Sequence, residues 1–242
     1  METFLNILIY GLIAGAATIL GIYLVLARED WSRKNSIYLI SFSAGVLLAT
    51  AICHLLPESL ELNPTALIWF LVSFVFFYII EHGIILHSCR EGSHCEVHPI
   101  DTISLIGIGF HSLLDGIIIG VGFEVSFTLG VIATFSVLLH EIHEGISTVS
   151  ILLHSGYSKK RAVLFSWAVA LATPIGAIMS YFLIKNINSN LLGVLIAVAA
   201  GSFMYVASAD LIPEIHRKSK FLNIILIILG LSVPFIVSIF FQ

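Results

Sequence analysis

Long apolar runs separated by short polar segments account for nearly the whole chain. A helix needs about 20 mainly apolar residues to cross a bilayer, and the pattern predicts an all-α membrane protein with eight transmembrane helices. Because no basic segment precedes the first run, we expect that run to be a retained span. The spans form one transmembrane domain over residues 1–242 and lie at about 4–26, 37–57, 65–86, 102–123, 127–153, 162–184, 191–213 and 221–241.

Composition excludes a soluble globular domain. Hydrophobic residues make up 58% of the chain and charged residues 11%, and the mean hydropathy is +1.05. Soluble domains carry roughly twice that share of charged residues. The eight spans leave no room for a separate soluble domain, and nothing indicates nucleic-acid binding.

Basic residues predict how the helices are oriented. Ten of the eleven Lys and Arg residues fall in connections 1–2, 3–4, 5–6 and 7–8, and only Lys185 lies in a connection of the opposite set. Basic loops stay on the cytoplasmic side. We therefore expect these four connections to be cytoplasmic and both termini to lie on the non-cytoplasmic side.

An internal repeat relates the second and seventh spans. Ala44–Glu58 aligns without gaps to Ala200–Glu214, and six positions are identical, including Pro57/Pro213 and Glu58/Glu214. The two spans differ by five crossings, so they are expected to run in opposite directions. Inverted repeats are typical of transporters that bind their substrate near the membrane midplane. The alternative is that small residues and a terminal proline recur in any packed membrane helix.

Two consecutive spans carry a histidine followed four residues later by an acid. These pairs are His111 with Asp115 and His140 with Glu144. Residues four apart lie about 40° apart around a helix and about 6 Å along it, so each pair forms one two-ligand face. Opposed faces would supply two imidazoles and two carboxylates, a set suited to a borderline divalent cation.

Neighbouring residues form a second set, rotated around the same helices. Ser112 and Glu141 join Asp115 and Glu144 in it, so a two-metal site with bridging carboxylates is one hypothesis. His143 lies about 160° from Glu141 around the helix. It is either a flanking ligand of the first site or an ordinary interhelical hydrogen-bonder.

The acids in these two spans have no basic partner nearby in sequence. No Lys or Arg occurs between Arg90 and Lys159. An ionised group at the bilayer centre costs about 2.5–3.5 kcal/mol on insertion scales. The balancing charge is therefore a bound metal, protons or both, unless neutral carboxyls simply hydrogen-bond between helices.

Other polar residues lie at the ends of the predicted route. His54 and Glu58 are expected at the outer end of span two, and Asp210 and Glu214 at the inner end of span seven, unless they are ordinary interfacial polarity. The connection at 87–100 is rich in His and Cys, which indicates a flexible cytoplasmic metal-binding loop and not a closed zinc finger. Its candidate ligands are His87, Cys89, His94, Cys95 and His98.

These features together resemble the ZIP (Zrt-, Irt-like protein) family of metal-ion transporters. The residues that carry the resemblance are HSLLDG at 111–116, HEIHEG at 140–145, and the HLLPE and LIPE endings of the repeat. The resemblance implies uptake of zinc, or of iron, manganese or cadmium, into the cytoplasm. It also implies a 3+2+3 helix arrangement with inverted repeats, a homodimer and, most simply, the cell (plasma) membrane.

The resemblance also assigns the site and shows where this chain departs from the family. His111, Asp115, His140 and Glu144 match the primary site, and Ser112, Asp115, Glu141 and Glu144 the adjacent one. Many relatives have proline where this chain has Leu114 and His143, and some have a glutamate on span six, which carries no acid here. The second metal is therefore the less certain part.

Two alternative functions stay open. One is an intramembrane metal-dependent hydrolase, although zinc proteases need HExxH and this chain has Glu144 at the second His position. The other is a metal exporter resembling the cation diffusion facilitators, which also use paired His-x-x-x-Asp motifs. We expect a transporter and no enzyme.

Overall fold

A computed structural model describes residues 2–88, 98–154, 156–184, 188–217 and 221–241, which are almost entirely helical and contain no strand. Two helices include a π-helical segment, Ala51–Leu55 in α2 and Val206–Leu211 in α7. The helices are α1 (Glu2–Ala27), α2 (Glu29–Thr50, then Ala51–Leu55 and Leu56–Leu62), α3 (Ala66–Ser88), α4 (His98–Val125), α5 (Phe127–His154), α6 (Lys159–Ile184), α7 (Ser189–Tyr205, then Val206–Leu211 and Ile212–Arg217) and α8 (Phe221–Phe241).

Each predicted span overlaps one of these helices, which confirms an all-helical membrane protein. Within the described residues, seven helices are long and apolar enough to cross a membrane. The remaining helix, α3, contributes the shorter apolar segment Ala66–Ile80. The predicted second span and the apolar part of α2 both begin at residue 37, but the helix itself begins at Glu29, and only Arg28 separates it from α1. Apolar runs mark the length of helix that lipid can cover, and a helix can continue into water beyond it.

Polar side chains cap several of the short connections. Asn188 accepts a hydrogen bond from the Leu191 amide at 2.8 Å at the start of α7. The Ser126 hydroxyl accepts one from the Leu129 amide at 3.1 Å at the start of α5. These bonds satisfy amides that have no partner within the helix. Between α5 and α6, Gly156 adopts a φ of 84°, a conformation that glycine accepts without strain.

The helices pack closely in several pairs, among them α4 against α6, α1 against α5, α2 against α8 and α3 against α7, and α2 also packs along α7, α4 along α5 and α1 along α6. Glycines let the backbones of these pairs touch. A Cβ added at Gly116 would lie within 3.0 Å of the Thr173 carbonyl oxygen, and one added at Gly176 would meet that of Leu113. Gly21 and Gly145 form the same reciprocal contact between α1 and α5. Small residues drive close packing of membrane helices because they allow van der Waals contact between backbones.

Both copies of the sequence repeat contain the π-helical segments at equivalent positions. Ala51–Leu55 ends two residues before Pro57, and Val206–Leu211 ends two residues before Pro213. A proline inside a helix removes one hydrogen bond and clashes with the carbonyl four residues earlier. The wider π turn relieves that clash, and such turns recur at functional sites.

The structure also reveals that the repeat reaches the first and sixth helices. Ala17, Thr18 and Gly21 of α1 match Ala172, Thr173 and Gly176 of α6 at the same spacing. The glycine in each copy makes one of the close backbone contacts described above. The two copies therefore share local packing as well as sequence.

Candidate metal centre

The centre of the helix bundle holds two histidines and an aspartate whose ligand atoms converge. In the part of the chain that the structure describes, His111, Asp115 and His140 are the one group of three or more His, Cys, Asp or Glu residues with ligand atoms all within 4.8 Å of one another. The Nε2 atom of His140 lies 2.9 Å from Oδ2 of Asp115. The Nε2 atom of His111 lies 3.3 Å from that same oxygen. Both imidazoles therefore point at one carboxylate.

The group is enclosed by the neighbouring helices. Asp115 is fully buried and His140 is 4% exposed. Rings flank the imidazoles, with Phe203 of α7 at 6.0 Å from His140 and Phe77 of α3 at 6.3 Å from His111 between ring centroids. The Oδ1 atom of Asp115 is buried and has no hydrogen-bond partner among the described residues. An enclosed carboxylate with a spare oxygen suits a bound cation.

A main-chain hydrogen bond fixes the orientation of His140. Its Nδ1 atom lies 2.8 Å from the carbonyl oxygen of Ser136, one turn earlier on α5. Because a carbonyl oxygen can only accept, Nδ1 donates its proton in this contact, and Nε2 is the ring nitrogen that faces Asp115. A ligating histidine typically donates its other ring N–H in this way, which orients the ring toward the metal.

The structure brings together three of the four residues predicted for the primary site. The fourth, Glu144, lies outside the group of three, and its carboxylate accepts a hydrogen bond from the Ser112 hydroxyl. Ser112 is fully buried and Glu144 half-buried. Ser112 and Glu144, two members of the second predicted set, are therefore neighbours, and the Ser112 hydroxyl is hydrogen-bonded to the Glu144 carboxylate.

Glu141 is held by two residues that sequence reasoning did not identify. It is fully buried and accepts hydrogen bonds from Thr18 of α1 and, at 2.7 Å, from Thr173 of α6. The signal available in the sequence was the matched Ala-Thr-x-x-Gly in the first and sixth spans. His143 lies elsewhere, with Nε2 at 3.2 Å from the Ser147 hydroxyl and a buried Nδ1 without a partner among described residues.

The route residues whose side chains the structure describes are not part of this group. His54 lies in the π-helical segment of α2, with its ring 5.4 Å from that of Phe235. Glu58 and Glu214 are half-buried near the ends of α2 and α7. Some predictions fall outside the described residues, either entirely (Cys89, His94, Cys95) or in their side chains (His87, His98, Asp210).

Comparison with known proteins identifies one family. The ZIP zinc transporter family model matches residues 2–101 and 86–238. Zinc transporter zipt-7.2 of Caenorhabditis elegans is 31% identical over 140 residues, which are 54% of this chain and 30% of that protein. Zinc transporter ZIP6 of Homo sapiens is 30% identical over 165 residues, which are 64% of this chain and 22% of that protein. Zinc transporter SLC39A7 of Canis lupus familiaris is 34% identical over 131 residues, which are 50% of this chain and 27% of that protein. The matched segments thus span about a third or less of these relatives.

Proposed function

Since this chain belongs to the ZIP zinc transporter family, we propose that it carries divalent metal ions, zinc foremost, across a membrane into the cytoplasm. The observation that carries the proposal is the convergence of His111 with the buried Asp115 and His140. The matched relatives are named zinc transporters, which agrees with the prediction that the chain is no enzyme.

The donor set favours a borderline cation such as zinc. Two imidazoles and a carboxylate are common zinc ligands, and zinc takes four ligands in a tetrahedron. We propose Glu144 as the fourth ligand, reached when its carboxylate exchanges the Ser112 hydroxyl for the metal. Imidazole also suits iron, and carboxylate suits manganese, so competition between zinc and iron, manganese or cadmium measures the preference.

The packing supports eight spans in a 3+2+3 arrangement of inverted repeats. Exchanging α1 with α6, α2 with α7, α3 with α8 and α4 with α5 maps the pair α4–α6 onto α1–α5 and the pair α2–α8 onto α3–α7. The glycine contacts obey the same exchange, since Gly45 of α2 meets α8 and Gly201 of α7 meets α3. In such folds transport proceeds by rocking of the repeats around a fixed central site.

The proposed route runs inward from the outer end of α2. His54 and Glu58 would collect metal there, and Asp210 and Glu214 would release it at the inner end of α7. The His/Cys-rich loop at 87–100 would receive the ion in the cytoplasm. The direction rests on the basic connections, which indicate the cytoplasmic side. A plasma-membrane location and a homodimer stay predictions from family resemblance.

Zinc flux into proteoliposomes tests the proposal. Radiolabelled zinc should accumulate with the unmodified protein and fall at least about tenfold with Asp115→Asn, which removes the charge shared by both imidazoles. Glu124→Gln, an acid-to-amide change nine residues further along α4, is the matched control and should keep the flux. Equal flux through Asp115→Asn and the control would refute the site.

Two further outcomes separate the alternatives. Expression in intact cells should raise their zinc content, and a net loss of zinc would favour an exporter. Turnover of a lipid or peptide bond without zinc flux would favour the intramembrane hydrolase.

A further inference from the structure

Glu141 is bound by hydroxyl groups from both halves of the repeat. Thr18 of α1 donates to Oε2 and Thr173 of α6 donates to Oε1. All three side chains are fully buried. Each carboxylate oxygen therefore has its own donor, from a different helix.

The two threonines occupy matching positions and are fixed by the packing of their helices. They are the same residue of the two Ala-Thr-x-x-Gly copies. The backbone carbonyl of Thr18 lies against Gly145 of α5, and that of Thr173 lies against Gly116 of α4. Because these contacts fix the backbones of both threonines, a hydroxyl could follow the Glu141 carboxylate toward the metal centre only as far as rotation of its own side chain allows. The two hydroxyls form a clamp.

Glu141 also stands apart from the metal centre in the structure. No group of three or more close His, Cys, Asp or Glu ligand atoms among the described residues includes it. Each carboxylate oxygen has a second lone pair, so a hydrogen bond does not by itself prevent ligation. Moving the Glu141 carboxylate far enough to join the group of three would instead lengthen its two hydrogen bonds, and hydrogen bonds to charged groups are among the strong ones.

We propose that Thr18 and Thr173 are positioning residues that clamp Glu141 away from the central site, so that the bundle core binds one metal ion without Glu141. This proposal rests on the proposed function, in which the central site binds the transported metal. It replaces the hypothesis of a site with two metal ions. Glu141 instead joins α5 to α1 and α6, which belong to opposite halves of the repeat. Freed from the clamp, it would become an additional ligand.

Zinc binding by the purified protein tests the clamp. The five His and Cys residues of the 87–100 loop are first replaced, so that only the bundle binds metal. Zinc stoichiometry and affinity are then measured by chelator competition for Glu141→Gln, for Thr18→Val with Thr173→Val, and for the triple variant. Thr18→Ser with Thr173→Ser is the matched control, since serine keeps both hydroxyls.

The clamp predicts that Glu141→Gln binds one zinc ion with an affinity within about threefold of the unmodified core. The double valine variant should bind zinc at least about fivefold more tightly or take a second ion, and adding Glu141→Gln should abolish the gain. The double serine variant should match the unmodified core. Loss of one zinc equivalent in Glu141→Gln, or a double valine variant that binds zinc unchanged, would overturn the proposal.

Two features keep the result clear. If size-exclusion chromatography shows that the double valine variant does not fold, the number of zinc ions bound by Glu141→Gln still tests the proposal. Binding is measured separately from flux, so a protein that binds one zinc ion without moving it refutes the transport function and leaves the clamp standing.

Discussion

At the scale of single residues, the proposed metal centre depends on how each candidate ligand is held. His140 is oriented by a main-chain carbonyl, that of Ser136. The Ser136 hydroxyl has another role, since it lies 2.6 Å from the Thr50 hydroxyl of α2 and joins α5 to α2. The Ser136 carbonyl therefore orients His140, whereas the Ser136 hydroxyl joins two helices.

Ser136→Ala separates these two roles. The carbonyl that holds His140 remains, so zinc affinity should stay within about threefold of the unmodified protein. The Thr50 hydroxyl loses a buried partner, which should lower the free energy of unfolding by about 1–3 kcal/mol. Thermal unfolding in detergent and zinc titration measure the two effects. A large loss of zinc affinity with unchanged stability would contradict this division.

Sequence spacing predicted the ligands that lie one helical turn apart, because that geometry is local. His111 and Asp115 share a face of α4 by helix geometry alone, and the structure places them together. The partners of Glu141 could not be predicted this way. Thr18 and Thr173 are 123 and 32 residues away from Glu141 in the sequence. Their approach to it depends on how three helices pack.

At the scale of the helices, close backbone contact at glycines sets the spacing of the bundle. Hydropathy located every helix but not its ends, since α2 extends from Glu29 to Leu62 around a shorter apolar run. The π-helical segments also escaped prediction from the apolar pattern. Pro57 and Pro213 lie two residues after these segments, but Pro174 and Pro234 lie inside α6 and α8 without one. A proline in the sequence is therefore not enough to predict a π-helical segment.

Two glycines on α4 give a matched test of the backbone contacts. Gly116→Ala places a Cβ against the Thr173 carbonyl, whereas Gly109→Ala meets nothing within 4 Å. Overpacking should make Gly116→Ala less stable by about 1–3 kcal/mol or more. Gly109→Ala should change stability by no more than about 1 kcal/mol. Thermal unfolding of the metal-free proteins compares them, and equal melting temperatures would show that α4 and α6 do not depend on this contact.

At the scale of the whole molecule, the repeat relates the two sides of the helix bundle. The matched segments lie in α1 and α6 and in α2 and α7, and one exchange of helices maps α4–α6 onto α1–α5 and α2–α8 onto α3–α7. The repeat in the second and seventh spans was readable from sequence because six of its positions are identical. The match between the first and sixth spans has fewer identical positions. It is recognised as part of the repeat only because the two segments make the same glycine and Glu141 contacts.

The most direct measurement is X-ray absorption at the zinc edge, on protein loaded with one zinc ion and lacking the five His and Cys residues of the 87–100 loop. The account predicts nitrogen and oxygen ligands at about 2.0–2.2 Å, scattering from two imidazoles, and no sulfur shell at about 2.3 Å. His140→Ala should remove one of the two imidazoles. A sulfur shell, or a spectrum that His140→Ala leaves unchanged, would contradict a zinc site at His111, Asp115 and His140.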